Sequence, residues 1–133
     1  MRRRRPLYAA GIIERLDHHV LIALASGSEE HGRLWQFPRG PAEPNESAEA
    51  AMRRVARQEL GIEVEIILGQ PPLVEDIDGQ AVELRYFFCD LTTGAPQAGR
   101  YDEIRWVSKA HLREYDFDRA SAPVVQWLLE SNT

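Results

Sequence analysis

An α/β protein, a sheet sandwiched between helices, is what this sequence predicts, and three observations carry the prediction. Apolar residues recur at three- and four-residue spacing between Ser47 and Leu60, strand-like runs lie on both sides of that segment, and two further helical segments close the chain. Residues 8–15 and 20–25 read as strands joined by a turn at Asp17, His18 and His19, and residues 34–37 as a short third. The paired histidines have no third ligand nearby in sequence and read as exposed turn residues. Pro44, Asn45 and Glu46 make a turn, after which an Asn or Ser oxygen caps a helix running from Ser47 to Leu60. Its residues Ala48, Ala51, Met52, Val55, Ala56 and Leu60 form one stripe suited to pack on a sheet, and Gly61 ends it. Residues 64–68 are another strand, and residues 81–91 the longest, with Val82, Leu84, Tyr86 and Phe88 on one face. A strand over 104–107 follows, then helices over 109–115 and 123–129, the latter capped by Ser121.

Composition bounds the function. The 133 residues, 44% hydrophobic, suit one domain, 1–133, with a real core. A net charge of -5 argues against duplex nucleic acid as a partner. Arg2 to Arg5 are the local exception, and residues 1–6 read as a flexible, solvated basic tail rather than a contact for RNA or phospholipid. No apolar run follows them that would serve as a signal peptide or membrane span, so no membrane partner is expected. The lone Cys89 excludes an internal disulfide and fits a reducing, cytoplasmic setting. Lying in an apolar strand, it reads as a buried, inert thiol.

Chemistry is concentrated around the central helix. Positions 55, 58 and 59 lie within one turn and converge on one patch of surface. A metal-binding helix gathers carboxylates there, whereas this one offers Val55, Gln58 and Glu59. Arg39, Arg53, Arg54 and Arg57 cluster around the same segment, moving its balance from cations towards anions. Arginine forks onto phosphate oxygens, so Arg39 is a candidate stand-in for a metal, while Arg53 and Arg57 read as solvent-facing.

Gly40, Glu46, Arg54, Glu59, Gly61 and Ile62 resemble, at the correct spacing, the sequence box of the Nudix hydrolases, and Phe37-Pro38 ahead of them is similar too. The resemblance implies a Nudix-type α/β/α sandwich with a mixed central sheet and the box helix Ser47-Leu60. It further implies that Gly40, Glu46, Arg54 and Gly61 are the structural residues of the box, with Glu46 and Arg54 a buried pair bracing loop against helix. Glu59 would be the surviving metal ligand and catalytic residue. Val55 and Gln58 replace the other two box carboxylates, and Arg39 replaces a glycine. An acidic residue just before the strand at 104–107 reaches the metal site in many relatives, which makes Glu103, or Asp102, the second candidate for catalysis and metal binding.

Two outlying stretches bear on substrate. Residues 117–125 are similar to the C-terminal region of MutT-type enzymes, with Ser121 in place of the asparagine that reads a purine base. Trp35-Gln36-Phe37-Pro38 resembles a stretch of dinucleoside polyphosphate and RNA 5′-end pyrophosphohydrolases, so Trp35 is either a base-stacking residue or a core or rim aromatic. The implied cofactor is Mg2+ or Mn2+ if the chain is catalytic, and none otherwise. Expected partners are a nucleotide or nucleoside-diphosphate-linked small molecule and, by the family's habit rather than any residue pattern here, a second copy in a homodimer. Two functions stand. One is a divergent hydrolase cleaving a phosphoanhydride in a nucleoside di- or triphosphate derivative, with weak or unusual activity, since a missing general base costs ~10²–10⁴-fold in rate. The other is a catalytically inactive domain that binds a nucleotide or phosphorylated metabolite, or serves as a partner-binding module.

Overall fold

The structure, a computed structural model, describes residues 5–26 and 33–131. Most of the expected basic tail therefore lies outside the described residues. Among the described residues eight strands form one sheet: β1 (Leu7–Glu14), β2 (His19–Leu24), β3 (Trp35–Gln36), β4 (Arg39–Pro41), β5 (Glu63–Gly69), β6 (Leu73–Ile77), β7 (Gln80–Thr93) and β8 (Glu103–Ser108). The central path runs β3-β2-β1-β7-β5, while β4 pairs with β1, β6 with β7 and β8 with β2. β1 and β7 are parallel, from Leu7 opposite Glu83 to Glu14 opposite Asp90, and the other pairings are antiparallel. The sheet is therefore mixed.

Alternation along the strands divides the core into two layers. On one face Ala9, Ile13, Leu21 and Phe87 pack with Ala51, Met52 and Leu60 of the box helix. On the other, Ile12, Ile22, Phe37, Leu84 and Tyr86 pack with Leu112, Val125 and Leu128. The expected α/β/α sandwich is formed. Among the described residues no helix is long and apolar enough to cross a membrane.

Several expectations need correction. The box helix is α-helical only over α1 (Ala48–Val55) and continues as a π-helical turn, Ala56–Leu60. Ser47 caps it as expected, its Oγ accepting from Ala50 N at 3.1 Å. Gly61, at φ 71°, closes it in the left-handed conformation that glycine adopts without strain. The segment over 109–115 is a 3-10 helix, Lys109–Glu114. Ser121 does not cap α2 (Ala122–Ser131) with its side chain: its buried Oγ accepts from no amide of the helix, and Asp118 Oδ1 accepts from Ser121 N at 3.0 Å. β4 and β6 were not foreseen. β4 is only three residues long and includes Gly40-Pro41, too short and irregular for a period to register. β6 leads to β7 through Asp78-Gly79, both at positive φ, the two-residue signature of a tight hairpin. Cys89 is buried, and burial pushes its thiol up to about 12, which leaves it protonated and unreactive at neutral pH.

Candidate active site

β1 holds β4 in register, Ala9 opposite Gly40 and Ala10 opposite Arg39, and so fixes where the box begins. The loop from β4 to α1 is bracketed by Arg54, which pairs with Glu46 and, at 3.6 Å, with Glu43. Arg54 donates from Nε to Glu46 Oε2 at 2.9 Å and from Nη2 to Glu46 Oε1 at 3.0 Å and to Pro41 O at 2.8 Å. The Arg54 bonds, together with the Glu43 backbone N–H, hold the Glu46 carboxyl below its usual range. Loop and helix are thereby tied at three points.

Further along, the convergence of positions 55, 58 and 59 is not formed. Val55 is 1% exposed and packs into the space above Gly40; a Cβ on Gly40 would lie 2.8 Å from Val55 Cγ2. Gln58 points to solvent. Only Glu59 reaches the cleft of about 580 Å³, whose lining includes Tyr8, Gln36, Arg39, Arg100 and Asp118. That volume suits a small ligand.

Two arginines on this cleft are each matched to one carboxylate. Arg39, largely buried, sits 2.8 Å from Asp118 Oδ2. Arg100 donates from Nε to Glu59 Oε1 at 2.8 Å and from Nη2 to Arg39 O at 2.6 Å and Tyr101 Oη at 3.2 Å. Its guanidinium carbon lies 4.7 Å from the centroid of the Tyr101 ring. Burial opposes the Arg100 charge, but Tyr101 and Glu59 outweigh it and hold its pKa above the usual value. Glu59 Oε2 is shut away from solvent without a partner.

The other candidates lie elsewhere. Glu103 does not join Glu59: it opens β8 opposite Leu24, pairs with Arg105, and lines a separate shallow depression with Trp35 and Tyr115. Asp102 accepts from Ser26 Oγ at 2.7 Å. Trp35 packs edge-on against Tyr115, with centroids 5.3 Å apart, and under Arg105, while its neighbour Gln36 faces the cleft. β-strand alternation sends the two to opposite sides. Ser121 is fully buried beside Tyr86, whose hydroxyl donates to Ala120 O at 2.7 Å. Sequence reasoning missed Asp118 and Arg100 as site residues. Asp118 had a signal, an acidic residue three positions before Ser121 at a helix entrance. Arg100 had none, since its partner is 41 residues away.

Magnesium is held by one or two carboxylates together with substrate phosphates. Among the described residues no group of three or more His, Cys, Asp or Glu side chains is placed to hold a metal ion. The one box carboxylate on the cleft already carries a guanidinium on Oε1 and turns its other oxygen inward. This donor set does not fit a metal cluster.

A mixed sheet between helix layers, with a Gly40–Glu46–Arg54–Gly61 loop and helix on one face, defines a Nudix domain. The profile of the NUDIX domain family matches residues 5–128, and the chain belongs to the Nudix hydrolase family. CTP pyrophosphohydrolase of Escherichia coli (strain K12) is 29% identical over 117 residues, 88% of this chain and 86% of that protein. 8-oxo-dGTP diphosphatase of Proteus vulgaris is 32% identical over 79 residues, 59% of this chain and 70% of that protein. Among solved structures, the E. coli ORF135 protein superposes with a TM-score of 0.82 at 26% identity, covering 98% of this chain and 92% of that one. MutT from a study of Aliivibrio salmonicida and Vibrio cholerae gives 0.70 at 31% identity, covering 96% and 99%.

Proposed function

We propose that this chain is a divergent Nudix hydrolase whose cleft takes a nucleoside di- or triphosphate derivative and cleaves its phosphoanhydride slowly. The observation that carries the reading is Glu59: it is the box carboxylate that reaches the cleft, and both its oxygens are sequestered, one on Arg100 and one against the protein. Arg39 and Arg100 place two guanidinium groups on the lining, and Gln36 adds a polar side chain to it. The relatives named above act on nucleoside triphosphates by their names, which supports a substrate of that class. With Glu59 engaged by Arg100 and no carboxylate cluster among the described residues, the chemical step is slowed by the ~10²–10⁴-fold that general-base catalysis is worth.

A second reading, a nucleotide-binding domain without turnover, draws support from the same Arg100 bond. Nucleotide substrates assayed with Mg2+ or Mn2+ beside Glu59→Gln separate the two. Metal-dependent turnover abolished by Glu59→Gln sinks the silent reading. Turnover that survives the substitution sinks the scheme in which Glu59 takes part in the reaction, and binding with no turnover in either protein sinks the hydrolase.

A further inference from the structure

We infer that the Arg100 guanidinium is the resident cation of this cleft, holding Glu59 as its counter-ion and keeping divalent metal ions off the box helix. The inference deepens the reading of the cleft as a phosphate site and takes its consequence, though not its test, from that reading.

Arg100 occupies a built position. The loop that carries it docks on the end of the π-helical turn: Gln97 N donates to Leu60 O at 2.9 Å, and Gly99, at φ 59°, lies so close that a Cβ there would collide with the Glu59 carbonyl oxygen. Only glycine allows that approach and that backbone conformation. The next residue is therefore delivered directly to the Glu59 carboxylate. Tyr101, largely buried, then lies against the guanidinium, and its hydroxyl is within hydrogen-bond distance of both Arg39 N and Arg39 O, at 3.2 and 3.4 Å. Three hydrogen bonds and a ring contact hold the guanidinium in place.

Among the described residues nothing in the surroundings favours its replacement by a metal. Val55 sets methyl groups where a second carboxylate would stand, and Gln58 faces away. Arg39 is neutralised by Asp118 and Arg100 by Glu59, so among the described residues the remaining carboxylate of the lining is Asp78, exposed on the β6–β7 turn. A divalent ion at Glu59 would have to displace the Arg100 Nε donor from Oε1 and leave that guanidinium in the cleft without its counter-ion. In this chain an entering phosphate meets a fixed guanidinium where a metal would otherwise stand.

The test uses Mn2+ alone, with free ion followed by electron paramagnetic resonance, on the wild-type chain, Arg100→Ala, Arg100→Lys and Arg100→Ala/Glu59→Gln, each first checked for cooperative thermal unfolding. Arg100→Ala is expected to bind Mn2+ roughly 10- to 100-fold more tightly than wild type, the range by which groups adjoining a ligand tune metal affinity. Arg100→Lys, which keeps the charge, should stay near wild type, and the double variant should lose the gain. Equal titrations of wild type and Arg100→Ala, whether both bind or neither does, overturn the inference. So does a gain that survives Glu59→Gln, or one that Arg100→Lys reproduces in full. No nucleotide is present, so this failure is distinct from failure of the nucleotide reading, which the turnover assay alone decides.

Discussion

The box helix has a carboxylate–guanidinium pair at each end, and the two do different work. Glu46 and Arg54 are eight residues apart and form a two-pronged pair that also reaches Pro41 O, so the ion pair closes the loop that precedes the helix. Glu59 and Arg100 are 41 residues apart, meet through a single nitrogen, and sit on the cleft instead of beneath it. The first pair ties the loop to the helix. The second stands on the cleft that we propose takes the substrate. On that reading, shape and reaction are carried by separate residues.

The strongest way to break the contrast is to rebuild the second site without touching the first. Val55→Glu/Gln58→Glu/Arg100→Ala should recover metal-dependent nucleotide hydrolysis, with a gain of about 10²–10⁴-fold over wild type in steady-state assays. No gain would mean that the cleft, and not only its carboxylates, has diverged. A smaller effect is expected where the Arg100 loop docks. Gly99→Val places a side chain into the Glu59 carbonyl and forces a β-branched residue to positive φ, costing about 3 kcal/mol in urea unfolding. Unchanged stability would show that the loop does not need its tight docking.

Glu46→Gln probes the first pair through pH. Arg54 holds the folded-state pKa of Glu46 below its unfolded value, so the stabilisation is complete above about pH 4.3 and is lost as pH falls through the lower folded value. The variant should melt several degrees below wild type at pH 7, with the gap closing as the pH drops below about 4. A gap that persists in acid would mean the bracket works by packing instead of charge. Last and smallest, Arg53→Ala, at an exposed helix position, should shift stability by no more than about 0.5 kcal/mol and leave nucleotide binding unchanged in calorimetry.

What could be read in advance followed sequence distance. The 3.6-residue stripe from Ala48 to Leu60 named the helix face that became core, and Gly40, Glu46, Arg54 and Gly61 announced the family at fixed local spacing. Within that helix the change to π geometry after Val55 was invisible, because a widened turn leaves the apolar pattern nearly intact. Glu103 illustrates the opposite failure. Its type and its place before a strand made it a candidate ligand, but β8 pairs with β2 in a register that sends the side chain to Arg105, away from Glu59.

The sequence by itself determined the family, the sandwich and the bracketed loop, because each rests on periodicity or on residues a few positions apart whose geometry a helix or turn already fixes. Only the tertiary structure decided what stands beside Glu59. Arg100 reaches it through a glycine in a loop 40 residues further along the chain, and no local pattern encodes where a loop lands when the sheet between them has closed.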